Sequence, residues 1–410
     1  MWKLGNGCTS SEVMVMRHFN LKYPPMVKSF LDTDQYKFSM EQCYYHQFND
    51  ATAEWAFKSR NAKDYTSEDI EEINKQLNAY CSLVFTKEEL RYLASKPWMK
   101  KDFMDVLRDW RPHREEIVVS PDEKEGLSIM THGIQWKITM YEIPILTITA
   151  ETYYRNHFNY DEMKQAFIDK TLEKLSVHHD DLGKFSEFGT RRRVSFELQE
   201  WLVRKLVGHP SFVGTSNLLL AMKLGINAVG TMAHEFIMTV GQGYPKHNPA
   251  YSNHYALKAW VKEYGTMNAV ALTDTIGTDT FLKDFDSVFA TIFVGVRHDS
   301  ADPFEWGHKM IAHYEKLGID PKSKVLMFSD SLNFDKASKL TQCFKDKIGV
   351  AFGIGTYLTG AQDVEPLNIV CKVVKVNGLD VAKLSDCEGK NMCRNPEAIE
   401  FLKRTIAMRE

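Results

Sequence analysis

Glu187-Phe-Gly-Thr-Arg-Arg-Arg193 is the stretch from which the rest of the chain can be ordered. Phe185 and Phe188 close a strand-like segment, Gly189-Thr190 turn the chain, and three arginines open the next helix. The apolar positions of that helix fall at Val194, Leu198, Trp201, Leu202 and Leu206. A strand that ends in Gly-Thr and hands guanidinium groups to a helix N-terminus is an anion receptor. Backbone N–H groups and the helix dipole favour negative charge there, and arginine adds planar, paired donors for carboxylate or phosphate. Three cations at that end of a helix oppose the macrodipole, so a purely structural triplet has no electrostatic support.

The same punctuation recurs downstream, at Val213-Gly-Thr-Ser216, Val229-Gly-Thr-Met232, Leu272-Thr-Asp-Thr275, Val296-Arg-His-Asp299, Phe328-Ser-Asp330 and Phe352-Gly-Ile-Gly-Thr356. Most of these are followed by a helical pattern, such as Ser216–Leu224, His254–Tyr264 and Pro303–Leu317. Seven strand-then-helix units in succession imply a parallel sheet, either an open doubly wound one or a closed α/β barrel. A barrel is the expectation, because it gathers every strand C-terminus at one mouth, where a shared polar chemistry has a use. An open sheet needs such chemistry only at its switch point. The barrel is expected over residues 144–360, after two helices at Pro144–Phe158 and Asp161–Leu175.

Upstream, residues 24–143 read as a mixed α+β unit. Asp32 or Asp34 is placed to cap a helix carrying Tyr36, Met40, Cys43, Tyr44 and Gln47 on one face. Ala53, Trp55 and Phe57 alternate as a half-buried strand, and Thr86-Lys-Glu-Glu89 has the capping-box spacing. Ile117–Ser120, Leu127–His132 and Trp136–Met140 read as strands of a meander. Asn377-Gly378, between Val374–Val376 and Val381–Leu384, is a strong hairpin signal. We expect that hairpin, with a closing helix at Pro396–Met408, to return to the N-terminal sheet, so that residues 361–410 complete a discontinuous smaller domain. Residues 1–23 lack a signal-peptide apolar core and read as an N-terminal extension.

Composition narrows the class. A chain of 410 residues that is 44% hydrophobic and 26% charged fits a soluble globular protein of one large and one smaller domain. A net charge of -3 argues against a nucleic-acid partner, and no stretch reaches the apolar length of a membrane span. Seven cysteines with no CxxC pair read as reduced thiols of a cytoplasmic protein.

Three constellations carry candidate chemistry. The loop Phe352–Gly360 is glycine-rich and follows the last strand, where barrels often hold phosphate, yet it is neither a Walker A loop nor a dinucleotide fingerprint. In Arg297-His-Asp-Ser-Ala-Asp302, Asp299 and Asp302 could hold Mg²⁺ on a diphosphate or bind ribose hydroxyls. Asp302 is also placed to cap the Pro303 helix, which leaves Asp299 and Asp330 without a structural task. His234, beside Glu235 and just inside a strand-to-helix turn, could act as base, acid or nucleophile. A Ser-His-Asp hydrolase is a poor fit, because no GxSxG elbow is present.

These motifs, joined to Asp32-Thr-Asp-Gln-Tyr36 and Gly230-Thr-Met-Ala-His-Glu235, together resemble nicotinate phosphoribosyltransferases of the bacterial type, in order, from about Met26 to near the end of the chain. Ala301 stands where that family commonly has glycine. The resemblance implies an irregular α/β barrel with a smaller N-terminal domain, the second structural class of phosphoribosyltransferases. It implies conversion of nicotinate, phosphoribosyl diphosphate and ATP to nicotinate mononucleotide, diphosphate, ADP and phosphate in NAD salvage, with Mg²⁺ as cofactor. It implies that His234 is transiently phosphorylated, with Glu235 and Asp299 beside it as catalytic candidates and Asp299 as a Mg²⁺ ligand. It assigns Tyr36 and Phe188 to stacking on the pyridine, with Thr231 and Arg297 beside them. It assigns Arg191, Asp299, Asp330, Gly353, Gly355 and Thr356 to the sugar-phosphate side. Relatives that use the amide carry an acid where this chain has Ser216, so Ser216 is expected to favour a carboxylate. Relatives often complete the site across a homodimer, with the Tyr36 segment reaching into a neighbour. A phosphoribosyltransferase for nicotinamide or another base, and a non-catalytic barrel that senses a sugar phosphate, are the rival readings.

Overall fold

In the computed structural model, which describes residues 9–62, 64–177, 181–387 and 393–409, the strands form two sheets. In chain order they are β1 (Thr52–Ser59), β2 (Ile117–Asp122), β3 (Gly126–Ile134), β4 (Lys184–Glu187), β5 (Phe212–Thr215), β6 (Asn227–Ala228), β7 (Val270–Leu272), β8 (Gly295–His298), β9 (Val325–Phe328), β10 (Gly349–Ile354), β11 (Ile369–Val376) and β12 (Leu379–Asp380). Of the expected extension, residues 1–8 lie outside the described residues, and Ser10–Phe19 is a helix opened by a Thr9–Glu12 capping box.

The larger sheet is parallel and runs β6-β5-β4-β10-β9-β8-β7. That order decides between the two architectures left open by the sequence. Every neighbour is consecutive in the chain except one pair, β4 with β10, the first and last strands of the series. A doubly wound sheet reverses direction in its middle and does not bring its end strands together. Here the series bends round on itself, and the one seam without strand pairing lies between β6 and β7. Two helices, His234–Gln242 and Ser252–Tyr264, separate those strands in sequence. The fold is an irregular α/β barrel, curled and open at one seam.

The second sheet is antiparallel, ordered β12-β11-β1-β3-β2. In β1 the alternation is realised as read: Ala53, Trp55 and Phe57 are buried and their neighbours are not. Asn377 and Gly378 both take positive φ, 50° and 78°, and turn β11 into β12. β11 lies against β1, with Ala53 opposite Val376 and Ser59 opposite Ile369. Trp55 from β1 and Val370 to Val373 from β11 face the mouth of the barrel, so this sheet roofs the strand C-termini. Beyond β12 the chain crosses to the seam, where Leu384 bridges to Ile276 just past β7.

Several local expectations are corrected. The arginine triplet does not open a helix: Thr190–Arg192 form a 3₁₀ turn, and the helix Phe196–Leu206 starts later, capped by Ser195. Trp136–Met140 is not a strand but helical, as Gln135–Ile138 and a 3₁₀ turn, because both of its faces are buried. Neither Asp32 nor Asp34 caps Gln35–Gln47 with its side chain, since both carboxylates are spent elsewhere.

Candidate active site

The barrel mouth and the roofing sheet enclose a cavity of ≈ 490 Å³. Its wall includes Tyr36, Phe188, Arg191, Ser216, Thr231, His234, Glu235, Arg297, Asp299, Asp330, Gly353, Gly355 and Thr356, so these candidates from distant parts of the chain reach one space, whereas Arg193 and Asp302 do not line it. The ends of β4, β5, β6, β8, β9 and β10 deliver all of the lining candidates but Tyr36. The arginines of the triplet part company. Arg191 enters the cavity, Arg192 also lines it while donating from Nε to the Ile369 carbonyl, and Arg193 turns into the core. There Arg193 pairs with Asp32 through two bonds of 2.6 Å and with Gln199 at 2.9 Å. The anion-receptor reading therefore fits Arg191 and Arg192 and fails for Arg193.

His234 opens the helix His234–Gln242. Its Nε2 lies 2.8 Å from Asp274 Oδ1 and 3.5 Å from Asp299 Oδ2. Burial, then the nearby Lys383 ammonium, push its pKa down to about 4 against the pull of Asp274. The imidazole is thus neutral near pH 7, and a neutral ring facing two carboxylates carries its proton on Nε2. Nδ1 is left with a lone pair. Asp274 is fixed by Ser300 Oγ at 2.7 Å and Lys383 Nζ at 3.0 Å. Burial alone would raise its carboxyl, but His234 and Lys383 hold it well below the usual range. Asp299 is not without a structural contact, for it accepts from Ser329 Oγ at 3.0 Å. Burial opposes its ionisation, and His234, Arg297 and Lys383 together keep it ionised. Asp302 caps the helix Pro303–Lys316, as read.

On the aromatic side, Tyr36 and Phe188 come from the same chain and line the same cavity. The Tyr36 segment is held there by Gln35 N–H donating to the Ser216 carbonyl at 2.8 Å and by a bridge from Asp34 to Asn217. Thr231 Oγ1 and Arg297 Nε are buried with no hydrogen-bond partner among the described residues, while Arg297 Nη1 donates to the Met232 carbonyl at 2.9 Å. Unmatched donors beside a ring slot suit an anionic substituent. Ser216 differs from its expected role, because its hydroxyl donates to Asp34 Oδ1 at 2.6 Å. The glycine loop differs too. A Cβ on Gly353 would fall 2.4 Å from the Phe188 ring, and one on Gly355 would fall 3.0 Å from the Phe188 carbonyl. These glycines make room for Phe188 as well as facing the cavity.

Sequence reasoning missed Asp34, Arg60, Glu142, Asp274, Lys372 and Lys383. Asp274 stood in a strand-end motif already quoted, and the logic applied to Asp299 would have found it. Lys372 sits in β11 between buried neighbours, and burial followed by Lys383 pushes its ammonium down to about 7. Arg60, Lys372 and Lys383 bring further positive charge to a wall that already holds Arg191 and Arg192.

Comparison with known proteins agrees with this geometry. Residues 183–410 match the model of the nicotinate phosphoribosyltransferase (NAPRTase) family, and residues 31–150 match that of its N-terminal domain. The chain is 42% identical to nicotinate phosphoribosyltransferase of Acinetobacter baylyi over 404 residues, covering 95% of this chain and 98% of the relative. It is 40% identical to that of Photorhabdus laumondii, covering 92% and 96%. Among solved structures, nicotinate phosphoribosyltransferase from Porphyromonas gingivalis superposes with a TM-score of 0.85 at 34% identity, covering 93% of this chain and 100% of the other. That from Vibrio cholerae gives 0.86 at 32% identity, covering 94% and 95%.

Proposed function

The chain belongs to the nicotinate phosphoribosyltransferase family, and from that premise we propose that it joins nicotinate to phosphoribosyl diphosphate in step with ATP hydrolysis, through a phosphoryl group carried on His234. The family activity, formation of nicotinate mononucleotide for NAD biosynthesis, needs a slot for a carboxylated pyridine beside a site for a sugar diphosphate. Tyr36 and Phe188 sandwich the ring, and the unmatched donors of Thr231 and Arg297 take its carboxylate, a charge that is costly to bury unpaired. Arg191, Arg192 and Lys372 receive phosphate oxygens. The pyridine nitrogen attacks the anomeric carbon, the C–O bond to diphosphate breaks, and Asp299 and Asp330 offset the positive charge that develops on the ribose.

The observation that carries the ATP-linked step is the placement of His234: its Nε2 is tied to Asp274, and it sits at a helix N-terminus that favours an incoming anion. Burial depresses its pKa to about 4, which leaves the Nδ1 lone pair available near pH 7. Attack of Nδ1 on the γ-phosphorus of ATP releases ADP, and water later returns the phosphoryl group as phosphate. On this reading the enzyme is an ATP-coupled ligase. Asp299 supplies a hard oxygen donor that would hold Mg²⁺, whereas Asp274 is already taken up by Lys383 and Ser300. Bound there, the ion would offset the charge of the departing diphosphate. Free thiols at all six described cysteines suit a cytoplasmic setting, and no described helix is long and apolar enough to cross a membrane.

The test is phosphoryl labelling. Wild-type protein incubated with γ-labelled ATP should carry acid-labile phosphate, and His234→Ala should carry none. The variant should also lose nicotinate-dependent ATP hydrolysis while keeping some ATP-independent transfer. Equal labelling of both proteins would remove His234 from the pathway.

A further inference from the structure

Behind the cavity wall lies a charged node that the reaction as described does not use. Lys37 is fully buried and is not part of the cavity lining. Its ammonium pairs with Glu142 and with Glu235 Oε2 at 2.5 Å, and lies 4.7 Å from the centre of the Trp55 ring. Thr139 donates its hydroxyl to the other oxygen of Glu235. Glu142 in turn stands 3.8 Å from Arg191. One more acid, Glu41, lies a turn further along the Lys37 helix, with both oxygens lacking hydrogen-bond partners among the described residues.

Three helix N-termini meet at this node. Lys37 is in the first turn of Gln35–Gln47, Glu142 begins Glu142–His157, and Glu235 is the second residue of His234–Gln242. Acids suit those positions individually, because each meets the positive end of a helix dipole. Two carboxylates side by side repel one another, and the single ammonium between them offsets that repulsion. Each member is also adjacent to a cavity group. Lys37 follows Tyr36, Glu235 follows His234, and Glu142 faces Arg191. The elements that carry the aromatic wall, the reactive imidazole and an arginine of the phosphate side therefore share one buried cation.

We infer that Lys37 is a positioning residue, which fixes His234 relative to Tyr36 and Arg191 by clamping Glu235 and Glu142 from behind the wall. This rests on His234 being the phosphoryl carrier proposed above. The ammonium reaches no substrate, so its loss acts on geometry. A misplacement of about 1 Å in a reacting group costs roughly 10²-fold in rate.

Lys37→Met, Lys37→Arg and Thr139→Val test it. Each is measured for kcat and KM with nicotinate, with and without ATP, for acid-labile phosphate, and by thermal melting. Lys37→Met should lower the ATP-supported kcat by roughly 10²-fold, with a KM for phosphoribosyl diphosphate within about threefold of wild type. Its ATP-independent rate should fall much less, so the stimulation by ATP collapses. Thr139→Val, which keeps the charges, should show the same signature at smaller size, and Lys37→Arg should restore part of the stimulation. If ATP-supported and ATP-independent rates fall in equal proportion, or neither falls in Thr139→Val, Lys37 is only a folding residue. Wild-type protein that shows no acid-labile phosphate would overturn the carrier reading instead, and Lys37 would then be judged on its nicotinate kcat alone, where an unchanged value refutes it.

Discussion

Replacing Arg193 by Met separates the arginine that holds the fold from those that face the cavity. Arg193 is fully buried and makes two bonds of 2.6 Å to Asp32, itself almost completely buried. Truncation leaves Asp32 with only the Asn217 amide, at 2.8 Å, and leaves the Gln199 carbonyl without its donor. Removing one partner of a buried ion pair costs about 3–5 kcal/mol, because the remaining charge is uncompensated. An unfolding entropy of about 2.1 cal/mol/K per residue, taken over 410 residues, gives about 0.9 kcal/mol/K. A loss of about 4 kcal/mol therefore lowers Tm by about 5 °C. Removing both charges, in Arg193→Met with Asp32→Leu, should recover much of that loss, since an apolar pair needs no compensation. Arg191→Met should do the reverse, leaving Tm within about 1 °C and raising KM for phosphoribosyl diphosphate by about tenfold or more. Circular dichroism melts and initial rates on the same preparations decide the matter. A Tm for Arg193→Met equal to wild type, together with a raised KM, would show that the guanidinium meets substrate and that its burial has been misread.

Gly353→Ala puts a methyl group into the space of the Phe188 ring, so KM for nicotinate should rise by about tenfold while that for phosphoribosyl diphosphate moves less. Equal rises for both substrates would return the loop to a purely phosphate-binding role. Lys372 exchanges its proton near pH 7 in the free protein, and only its protonated form attracts an anion. Calorimetric Kd for phosphoribosyl diphosphate should therefore be tightest below pH 7 and weaken as pH rises through it, and Lys372→Arg should flatten that part of the profile. A profile identical in the two proteins assigns the dependence to the ligand alone. Ala301 holds φ of 70°, a left-handed conformation that costs an alanine roughly 1–2 kcal/mol. Ala301→Gly gains unfolded-state entropy in the opposite direction, so a net stabilisation of about 0.5–1 kcal/mol is expected by denaturant titration, and a destabilised variant would contradict it.

The strand-end motifs were legible because they repeat, and repetition survives without coordinates. Seven Gly-, Thr-, Ser- or Asp-terminated segments mark one mouth, and the residues chosen from them do meet there. What the sequence hid were directions and distant partners. Successive residues of a 3₁₀ turn point about 120° apart. Arg191 and Arg192 lie in that turn and Arg193 in extended backbone just past it, so a run of like charges is split between cavity and core. Trp136, Ile138 and Met140 alternate like a strand, yet Thr139 between them is fully buried and Lys137 only half exposed, so the alternation encodes no open face. Lys383 and Lys37 act on Asp274 and Glu235 across long stretches of chain. No local pattern announces a lysine whose partners lie elsewhere. Ser216 shows the converse: its position was readable, but not that its hydroxyl donates to Asp34.

The pairing of β1 with β11 has a consequence for synthesis on the ribosome. Ser59 lies opposite Ile369, about 310 residues later. At about 5–20 residues per second, β11 emerges roughly 15–60 s after β1 has left the exit tunnel. Throughout that interval the nascent β1-β3-β2 meander presents an open edge, with the apolar side chains of Trp55 and Phe57 uncovered. Such an edge pairs readily with strands of other chains. Holdase chaperones that cover it until residues 369–376 arrive should raise the soluble yield, and a slower-translating host should depress it.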